Sequence, residues 1–405
     1  MKWEAIIRDG TKIKSINAKL ELIASSINNP DNESILDGKM GAALFYYYFN
    51  SLQGNKSQKE LADSYINDCL ESISKKCLEN NFGNGLTGIV CGLLFLRSRH
   101  FVNFEPDYLL NEIDEVIFDF ANNELNASNY DYIYGGLGGL QYFLERMPNL
   151  YARNAIEILI RQIDIISEKI DDSVTWRDYF TTKFGHNEKK RYNFGLAHGI
   201  PSIIYFLSRV YNLNINRQKC FELLHGSINW LLQNKFNNSN LSLFPSFLEI
   251  NEKANSSRLG WCYGDLGIAN ALWYAGISLG NNVWKTEAIS ILMHACGRKN
   301  LENNFVFDAC VCHGAAGIHL LFNRFYQSTK LIEFKYASNY WLEQTLEMSR
   351  FEDGFAGYKT KVMRNNEPIW INSSGFLYGI SGIGLCLISA ISNVEPKWDR
   401  ILLLS

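Results

Sequence analysis

One short glycine motif recurs seven times along the 405-residue chain, and each copy runs into an apolar segment. The leading glycines are separated by 47, 50, 64, 65, 50 and 65 residues. Six copies keep Gly-x-x-Gly, and the fourth has Ser202 where the second glycine would stand. A repeat of this length predicts similar supersecondary units that bury their apolar faces on one another. The leading glycines are Gly38, Gly85, Gly135, Gly199, Gly264, Gly314 and Gly379.

The segments between the motifs show a second kind of helix, which is amphipathic. Residues 57–77 place Leu61, Tyr65, Cys69 and Ile73 at four-residue steps, and residues 154–170 have a similar pattern. Strand-like alternation is confined to short stretches near 243–250 and 368–371. The sequence therefore predicts an all-α fold, an α/α toroid (double α-barrel) of seven helical hairpins with the apolar helices inside.

We expect residues 1–405 to form a single domain with longer loops at about 169–192, 236–258 and 358–374. Polar loops of this length in a compact domain are usually functional. All three lead into glycine motifs, so we expect them to grip an extended peptide.

Composition excludes several classes of protein. The chain is 20% charged with a formal net charge of -3, which gives no electrostatic reason to expect nucleic acid as a partner. It has no apolar run long enough to predict a transmembrane segment, and its first residues do not resemble a secretory signal. Nine cysteines, mostly inside apolar helical patterns, indicate reduced buried thiols and a cytoplasmic location.

Antiparallel hairpins would start every inner helix at the same end of the ring, so the residues just before the leading glycines should converge there. Cys262 and Cys312 each lie two positions before their glycine, and His313 lies one position before. Two thiolates and an imidazole suit zinc, and three protein ligands leave the open fourth position of a catalytic site. Cys310 and Asp308 are alternative ligands nearby, and a fourth ligand would make the site purely structural. The competing interpretation is that these are ordinary buried cysteines and a structural histidine.

His198 occupies the same position before its glycine without a cysteine beside it. An imidazole that faces an open zinc site can transfer a proton, although His198 could instead cap a helix. Asp131 and Arg258 are charged residues near the same end. Asp131 could act as an acid or orient a neighbour, and Arg258 could stabilise an oxyanion, or either could form a surface ion pair.

Three motifs resemble the lanthionine synthetase C-like (LanC) family. They are Trp261-Cys262-Tyr263-Gly264-x-x-Gly267, Cys312-His313-Gly314-x-Ala316-Gly317 and Leu196-Ala197-His198-Gly199. The resemblance implies one catalytic Zn2+ per chain, held by Cys262, Cys312 and His313 in an α/α toroid. It also implies that His198 is the acid/base residue and that Asp131, Arg258 and Tyr263 belong to the catalytic site.

The same resemblance implies the reaction: a cysteine thiolate of a dehydrated precursor peptide adds to dehydroalanine or dehydrobutyrine and forms a (methyl)lanthionine ring. The partners would be that peptide, a separate dehydratase and an exporter, and the protein could be peripheral to a membrane-associated synthetase complex.

Two other functions fit parts of the sequence. A prenyltransferase-like zinc enzyme would also activate a peptide cysteine, but it needs an aspartate ligand, for which Asp308 is the nearby candidate. A non-catalytic LanC-like adaptor would bind a thiol or peptide without transforming it.

Overall fold

The computed structural model describes residues 3–178, 191–236, 241–250, 252–365 and 367–405. The chain divides into two compact units. Unit 1 comprises Met1–Glu79 and Lys299–Ser405, and unit 2 comprises Asn80–Arg298.

Within the described residues, amphipathic and apolar α-helices alternate along the chain. The amphipathic helices are α1 (Gly10–Ser26), α3 (Lys56–Ser74), α5 (Pro106–Asn126), α7 (Leu150–Ile165), α9 (Arg217–Gln233), α11 (Asn282–Cys296) and α13 (Ile332–Glu347). The apolar helices are α2 (Lys39–Gln53), α4 (Leu86–Ser98), α6 (Gly136–Arg146), α8 (Ile200–Asn212), α10 (Asp265–Ser278), α12 (Ala315–Thr329) and α14 (Ile380–Ile391).

The two kinds of helix differ in burial as their sequences predict. Helix α14 is buried from Ile380 to Ala390 on every face. Helix α7 buries a single stripe, with Ala152, Ile156, Leu159 and Ile163 at steps of three and four residues. The apolar helices therefore form the core, and the amphipathic helices cover it.

Two details of the predicted amphipathic helices are wrong. Helix α7 ends at Ile165, and residues 168–170 form a strand, because they pair with residues 173–175. In α3, Leu61 is 36% exposed. The buried face of that helix instead runs through Ala62, Tyr65 and Cys69.

Every apolar helix begins directly after its leading glycine, which is the N-cap residue in all seven. The second glycine of the motif is required by close packing. A Cβ at Gly317 would overlap the carbonyl oxygen of Val311, and one at Gly382 would overlap that of Phe376. The glycine spacing thus marks the start of each core helix, as the sequence predicted.

The turns before these helices share a hydrogen-bond pattern. We count the leading glycine as position 0 and the residues before it as positions −1 to −6. In five turns the side-chain oxygen at −6 accepts the amide N–H of −4, an arrangement typical of Asn, Asp and Ser. The residues at −6 in these turns are Asn32, Asn129, Asn193, Asp308 and Ser373.

A second set of backbone hydrogen bonds joins neighbouring turns at position −2. The Cys312 amide donates to Leu377 O, and the Leu377 amide donates to Leu36 O, so the last repeat packs directly on the first within unit 1. In unit 2 the Ala197 amide donates to Cys262 O. These bonds hold successive turns in the same register, so side chains at one position recur at equivalent places.

Short antiparallel strands occupy the predicted long loops. In unit 2, β1 (Glu168–Ile170) pairs with β2 (Ser173–Thr175), and β3 (Arg191–Asn193) pairs with β4 (Phe247–Glu249). In unit 1, β5 (Thr360–Arg364) pairs with β6 (Glu367–Ile371). Residues 179–190 of the first loop and 237–240 and 251 of the second lie outside the described residues.

Candidate functional site

Position −1 is the exposed point of every turn. In all seven turns this residue is partly or fully exposed, whereas positions −2 and 0 on either side of it are buried. The side chain at −1 is therefore accessible in every turn. These residues are Asp37, Asn84, Tyr134, His198, Tyr263, His313 and Tyr378.

In unit 2 the structure brings His198 and Asp131 together. The His198 Nδ1 atom lies 2.7 Å from Asp131 Oδ2. Because a carboxylate only accepts hydrogen bonds, Nδ1 carries the hydrogen and Nε2 is the nitrogen left to exchange a proton. The carboxylate is itself held firmly, since its Oδ1 accepts the amides of Ile133 and Tyr134 at 2.8 and 2.7 Å.

The electrostatics of this pair favour a protonated imidazole. Burial alone would lower the pKa of His198, but the negative charge and the hydrogen bond of Asp131 outweigh it and raise that pKa above its usual value. The side chain of His198 remains 22% exposed, whereas Asp131 is 1% exposed. The arrangement is a buried carboxylate that orients an accessible imidazole and raises its pKa.

Two tyrosines flank His198. The Tyr134 ring is nearly parallel to the imidazole at a centroid distance of 6.5 Å, and the Tyr263 ring lies at 6.0 Å. Asn193 Nδ2 donates to the Tyr263 hydroxyl at 3.3 Å. Burial raises the pKa of Tyr263, so its hydroxyl stays protonated and can donate a hydrogen bond. Tyr134 was missed as a site residue at the sequence level, although its place directly before Gly135 marks it.

Cys262 and Arg258 also belong to unit 2. Cys262 is 5% exposed and lies at position −2 of the turn before α10. Gly264, which follows, has a φ of +109°, whereas the other six leading glycines have negative φ values. Only glycine adopts this conformation readily. Arg258 is partly buried at position −6, where its side chain has no hydrogen-bond or ion-pair partner among the described residues.

Cys312 and His313 lie in unit 1. The Cys312 Sγ and a ring nitrogen of His313 lie within 4.8 Å of each other, close enough to bind one ion. Cys312 Sγ is also 3.9 Å from the Tyr378 hydroxyl oxygen, and the Tyr378 ring lies 5.7 Å from the imidazole of His313.

Asp308 and Cys310 lie near the same histidine. Asp308, Cys310 and His313 form another group of potential metal ligands within unit 1. Both oxygens of Asp308 bind the backbone, since Oδ1 accepts the Cys310 amide at 2.9 Å and Oδ2 accepts the Lys361 amide at 3.0 Å. Asp308 therefore fits a structural role in the turn and the β5 hairpin.

The other cysteines fit the predicted reduced state. All nine are free, and Cys69, Cys91, Cys220 and Cys386 are buried. Among the described residues, no helix has the length and hydropathy that crossing a bilayer requires.

Comparison with known structures identifies the fold. The solved structure of nisin cyclase matches with a TM-score of 0.76 at 20% identity, covering 96% of this chain and 98% of that chain. This likeness confirms the predicted all-α class and α/α-toroid fold.

The sequence comparisons identify the family. Residues 29–403 match the family described as "Lanthionine synthetase C-like protein", so the chain belongs to the lanthionine synthetase C-like family. "Nisin biosynthesis protein NisC" of Lactococcus lactis subsp. lactis is 23% identical over 390 residues, which cover 91% of this chain and 88% of the relative. "Glutathione S-transferase LANCL1" of Danio rerio is 22% identical over 335 residues, 79% of this chain and 77% of the relative.

Proposed function

We propose that this protein is a lanthipeptide cyclase, which adds peptide cysteine thiolates to dehydroalanine or dehydrobutyrine. The observation that carries the proposal is the His198–Asp131 pair, an oriented and accessible acid at 2.7 Å from its carboxylate partner. Family membership supports the class of reaction. A non-catalytic adaptor would not need a buried carboxylate that is hydrogen-bonded to a partly exposed imidazole.

We further propose that Cys262, Cys312 and His313 hold one Zn2+ per chain. Cys262 and Cys312 share position −2 of their turns, and Cys312 and His313 already lie within reach of one ion. Two sulfurs and one imidazole nitrogen are a donor set that zinc prefers. When bound, the metal would supply a substrate thiolate at neutral pH, because a coordinated thiol is deprotonated.

The chain's own residues would complete the addition. The substrate sulfur forms a bond to the β-carbon, and the double-bond electrons move onto the neighbouring carbonyl oxygen as an enolate. Nε2 of His198 then gives a proton to the α-carbon, so that sulfur and hydrogen are added across the double bond without net oxidation. General acid catalysis of this kind contributes roughly 10²–10⁴-fold in rate.

Arg258 and Tyr263 are proposed to stabilise the enolate oxygen. At position −6, five other turns use Asn, Asp or Ser to close the turn, whereas Arg258 leaves its guanidinium without a partner among the described residues. The protonated hydroxyl of Tyr263 lies beside His198 and offers a hydrogen bond. Preorganised donors of this type stabilise charge that develops during a reaction.

The proposed partners follow from the reaction. The substrate is a precursor peptide with dehydrated residues, which a separate dehydratase would supply, and an exporter would remove the product. We propose a cytoplasmic enzyme that associates with such a complex at the membrane surface. The alternative is suggested by the relative named as a glutathione S-transferase, in which the thiol would come from glutathione.

The test uses a synthetic peptide with one cysteine and one dehydroalanine. Cyclisation leaves the mass unchanged and removes the free thiol, so iodoacetamide no longer modifies the product. We expect the zinc-loaded wild type to protect the thiol, and His198→Ala to lose at least about 10²-fold in rate.

His225→Ala is the matched control, because His225 on α9 packs between Phe221 of the same helix and Trp284 of α11. It should cyclise like the wild type. An unchanged rate in His198→Ala would remove that residue from the mechanism. A wild type that only transfers added glutathione to the peptide would replace the cyclase proposal with the alternative.

A further inference from the structure

Unit 1 contains a cavity of about 380 Å³ that the proposed chemistry does not use. Its lining includes Tyr378, Asp37, Phe355 and Ile371. Tyr378 connects the cavity to the proposed metal ligands, since its hydroxyl oxygen is 3.9 Å from Cys312 Sγ and its ring packs against His313. A molecule that reaches Cys312 therefore has this cavity immediately beside it.

Asp37 occupies the accessible position −1 of the first turn. It lies directly before Gly38, the position that holds His198, Tyr263 and His313 in other turns, and it is partly exposed between buried neighbours. The backbone hydrogen bond from the Leu377 amide to Leu36 O fixes this turn beside that of Tyr378. Asp37 and Tyr378 are thus equivalent residues of adjacent turns, and both face the same cavity.

The chain leaves room for the Asp37 carboxylate and gives it no counterion. A Cβ at residue 375 would lie 2.7 Å from Asp37 Cα and 2.8 Å from Asp37 Oδ1, so Gly375 allows its own backbone to approach both the turn and the carboxylate of Asp37. Among the described residues, that carboxylate has neither a hydrogen bond nor an ion pair. Burial raises the pKa of Asp37 to about 6, so the group is ionised at neutral pH but only at a cost. A cation placed in the cavity would remove this cost.

The shape and walls of the cavity indicate the chemistry of that cation. Phe355 and Ile371 provide apolar surface near the carboxylate. A lysine side chain combines an apolar stem with a charged end and suits such a mixed site. Asn372 is held in place by two hydrogen bonds, since its Oδ1 accepts the Phe355 amide at 3.2 Å and its Nδ2 donates to Asp353 O at 2.9 Å. Of the carboxylates that line the cavity, Asp37 is partly buried, whereas Asp31 is exposed.

We propose that this cavity is a subsite for a basic side chain of the substrate peptide, and that Asp37 binds the charged end of that side chain. The inference rests on the proposed function in one respect, namely that the ligand is the peptide that brings its cysteine to Cys312 and His313. It adds a specificity determinant: peptides with a lysine or arginine near the reacting cysteine are preferred.

The experiment separates binding from turnover. The probes are fluorescein-labelled peptides with one cysteine. Each peptide carries a single lysine, placed at one of the positions from three before to three after the cysteine. A matched peptide carries norleucine at the same position. Fluorescence anisotropy with the zinc-loaded protein gives the Kd of each. At one position or more we expect the wild type to bind the lysine peptide about tenfold more tightly than its norleucine partner. Asp37→Asn should lose this preference while binding norleucine peptides as the wild type does.

Asp31→Asn is the matched control, because Asp31 lines the same cavity but is exposed. It should keep the preference. Equal binding of lysine and norleucine peptides by the wild type at every position, or an undiminished preference in Asp37→Asn, would overturn the subsite. Failure of the proposed function would look different, since the labelled peptides would bind with the lysine preference while the peptide with one cysteine and one dehydroalanine would not be cyclised.

Discussion

At the residue scale, the position of a side chain in the turn decides what it can do. Position −4 has its amide tied to the side chain at −6, and in the sixth turn the carbonyl of Cys310 also accepts the Gly314 amide. Position −2 carries the hydrogen bonds between neighbouring turns, and position −1 is exposed. Cys310 lies at −4 and is 0% exposed, and Cys312, which is 4% exposed, lies at −2 directly before the accessible His313. We therefore propose Cys312 rather than Cys310 as the ligand.

This assignment predicts zinc content. Purified wild type should contain about one zinc per chain, and Cys312→Ala and Cys262→Ala should lose it, because each removes one of three protein ligands. Cys310→Ala is the matched control two residues away and should retain the metal. Atomic absorption after dialysis against a weak chelator measures the content. Retention in Cys312→Ala together with loss in Cys310→Ala would show that the ligand set is wrong.

At the element scale, neighbouring helices are joined by buried polar groups as well as apolar contacts. His319 on α12 is fully buried, and its Nδ1 lies 2.9 Å from both the carbonyl and hydroxyl oxygens of Ser338 on α13. The Ser338 hydroxyl also contacts the carbonyl oxygen of His319 at 3.1 Å, as a donor. These contacts give His319 a structural role between α12 and α13.

His319 predicts a pH dependence of stability. Burial lowers its pKa from 6.5 to about 4, so between these values the unfolded chain binds a proton that the folded chain does not. The free energy of unfolding should therefore fall as the pH is lowered from 6.5 to 4, by up to roughly 3 kcal/mol. Urea denaturation at a series of pH values measures it. In His319→Asn the free energy of unfolding should change less steeply with pH than in the wild type, whatever its value at pH 7.

The exposed His100 provides the comparison for that experiment. His100→Asn should leave the slope as in the wild type. If His319→Asn and the wild type lose stability in parallel, other groups cause the acid sensitivity.

The sequence predicted the elements better than the connections between them. Glycine spacing and apolar periodicity placed the start of every core helix, because a glycine that permits close backbone approach cannot be replaced without overlap. The end of α7 was misplaced, because the apolar pattern of the helix continues into Ile166 and Ile170 while the hydrogen bonds change to a strand pair. Hydropathy does not show whether the backbone forms the hydrogen bonds of a helix or those of a strand pair.

At the scale of the whole molecule, the repeated turn organises both the fold and the candidate site. Comparing the turns in the sequence singled out the proposed metal ligands and His198, since all lie one or two residues before a glycine. It missed Asp37, although this residue also lies at position −1, because an aspartate before a glycine is common in ordinary turns. The polar residue at −6 was also missed, because a hydrogen bond from side chain to backbone leaves no periodic signal in one sequence.

The first described residues connect the repeats of unit 1. Trp3 is 3% exposed, and its Nε1 donates to Ser389 O at 3.2 Å on α14, the last apolar helix. The amides of Ile6 and Ile7 donate to Ala390 O at 3.0 and 3.1 Å. This segment covers the end of α14 and leads directly into α1, so it connects α1 with α14.

We therefore expect Trp3→Ala to lower the free energy of unfolding of unit 1 by about 3 kcal/mol, since it removes a buried indole and leaves the Ser389 carbonyl unpaired. Denaturant unfolding of the full chain, followed by hydrogen exchange at α14, would locate the loss in that helix. Tyr108→Ala removes a ring that is 93% exposed and should change neither quantity. Equal protection of α14 in Trp3→Ala and the wild type would mean that the terminal segment lies on the helix without stabilising it.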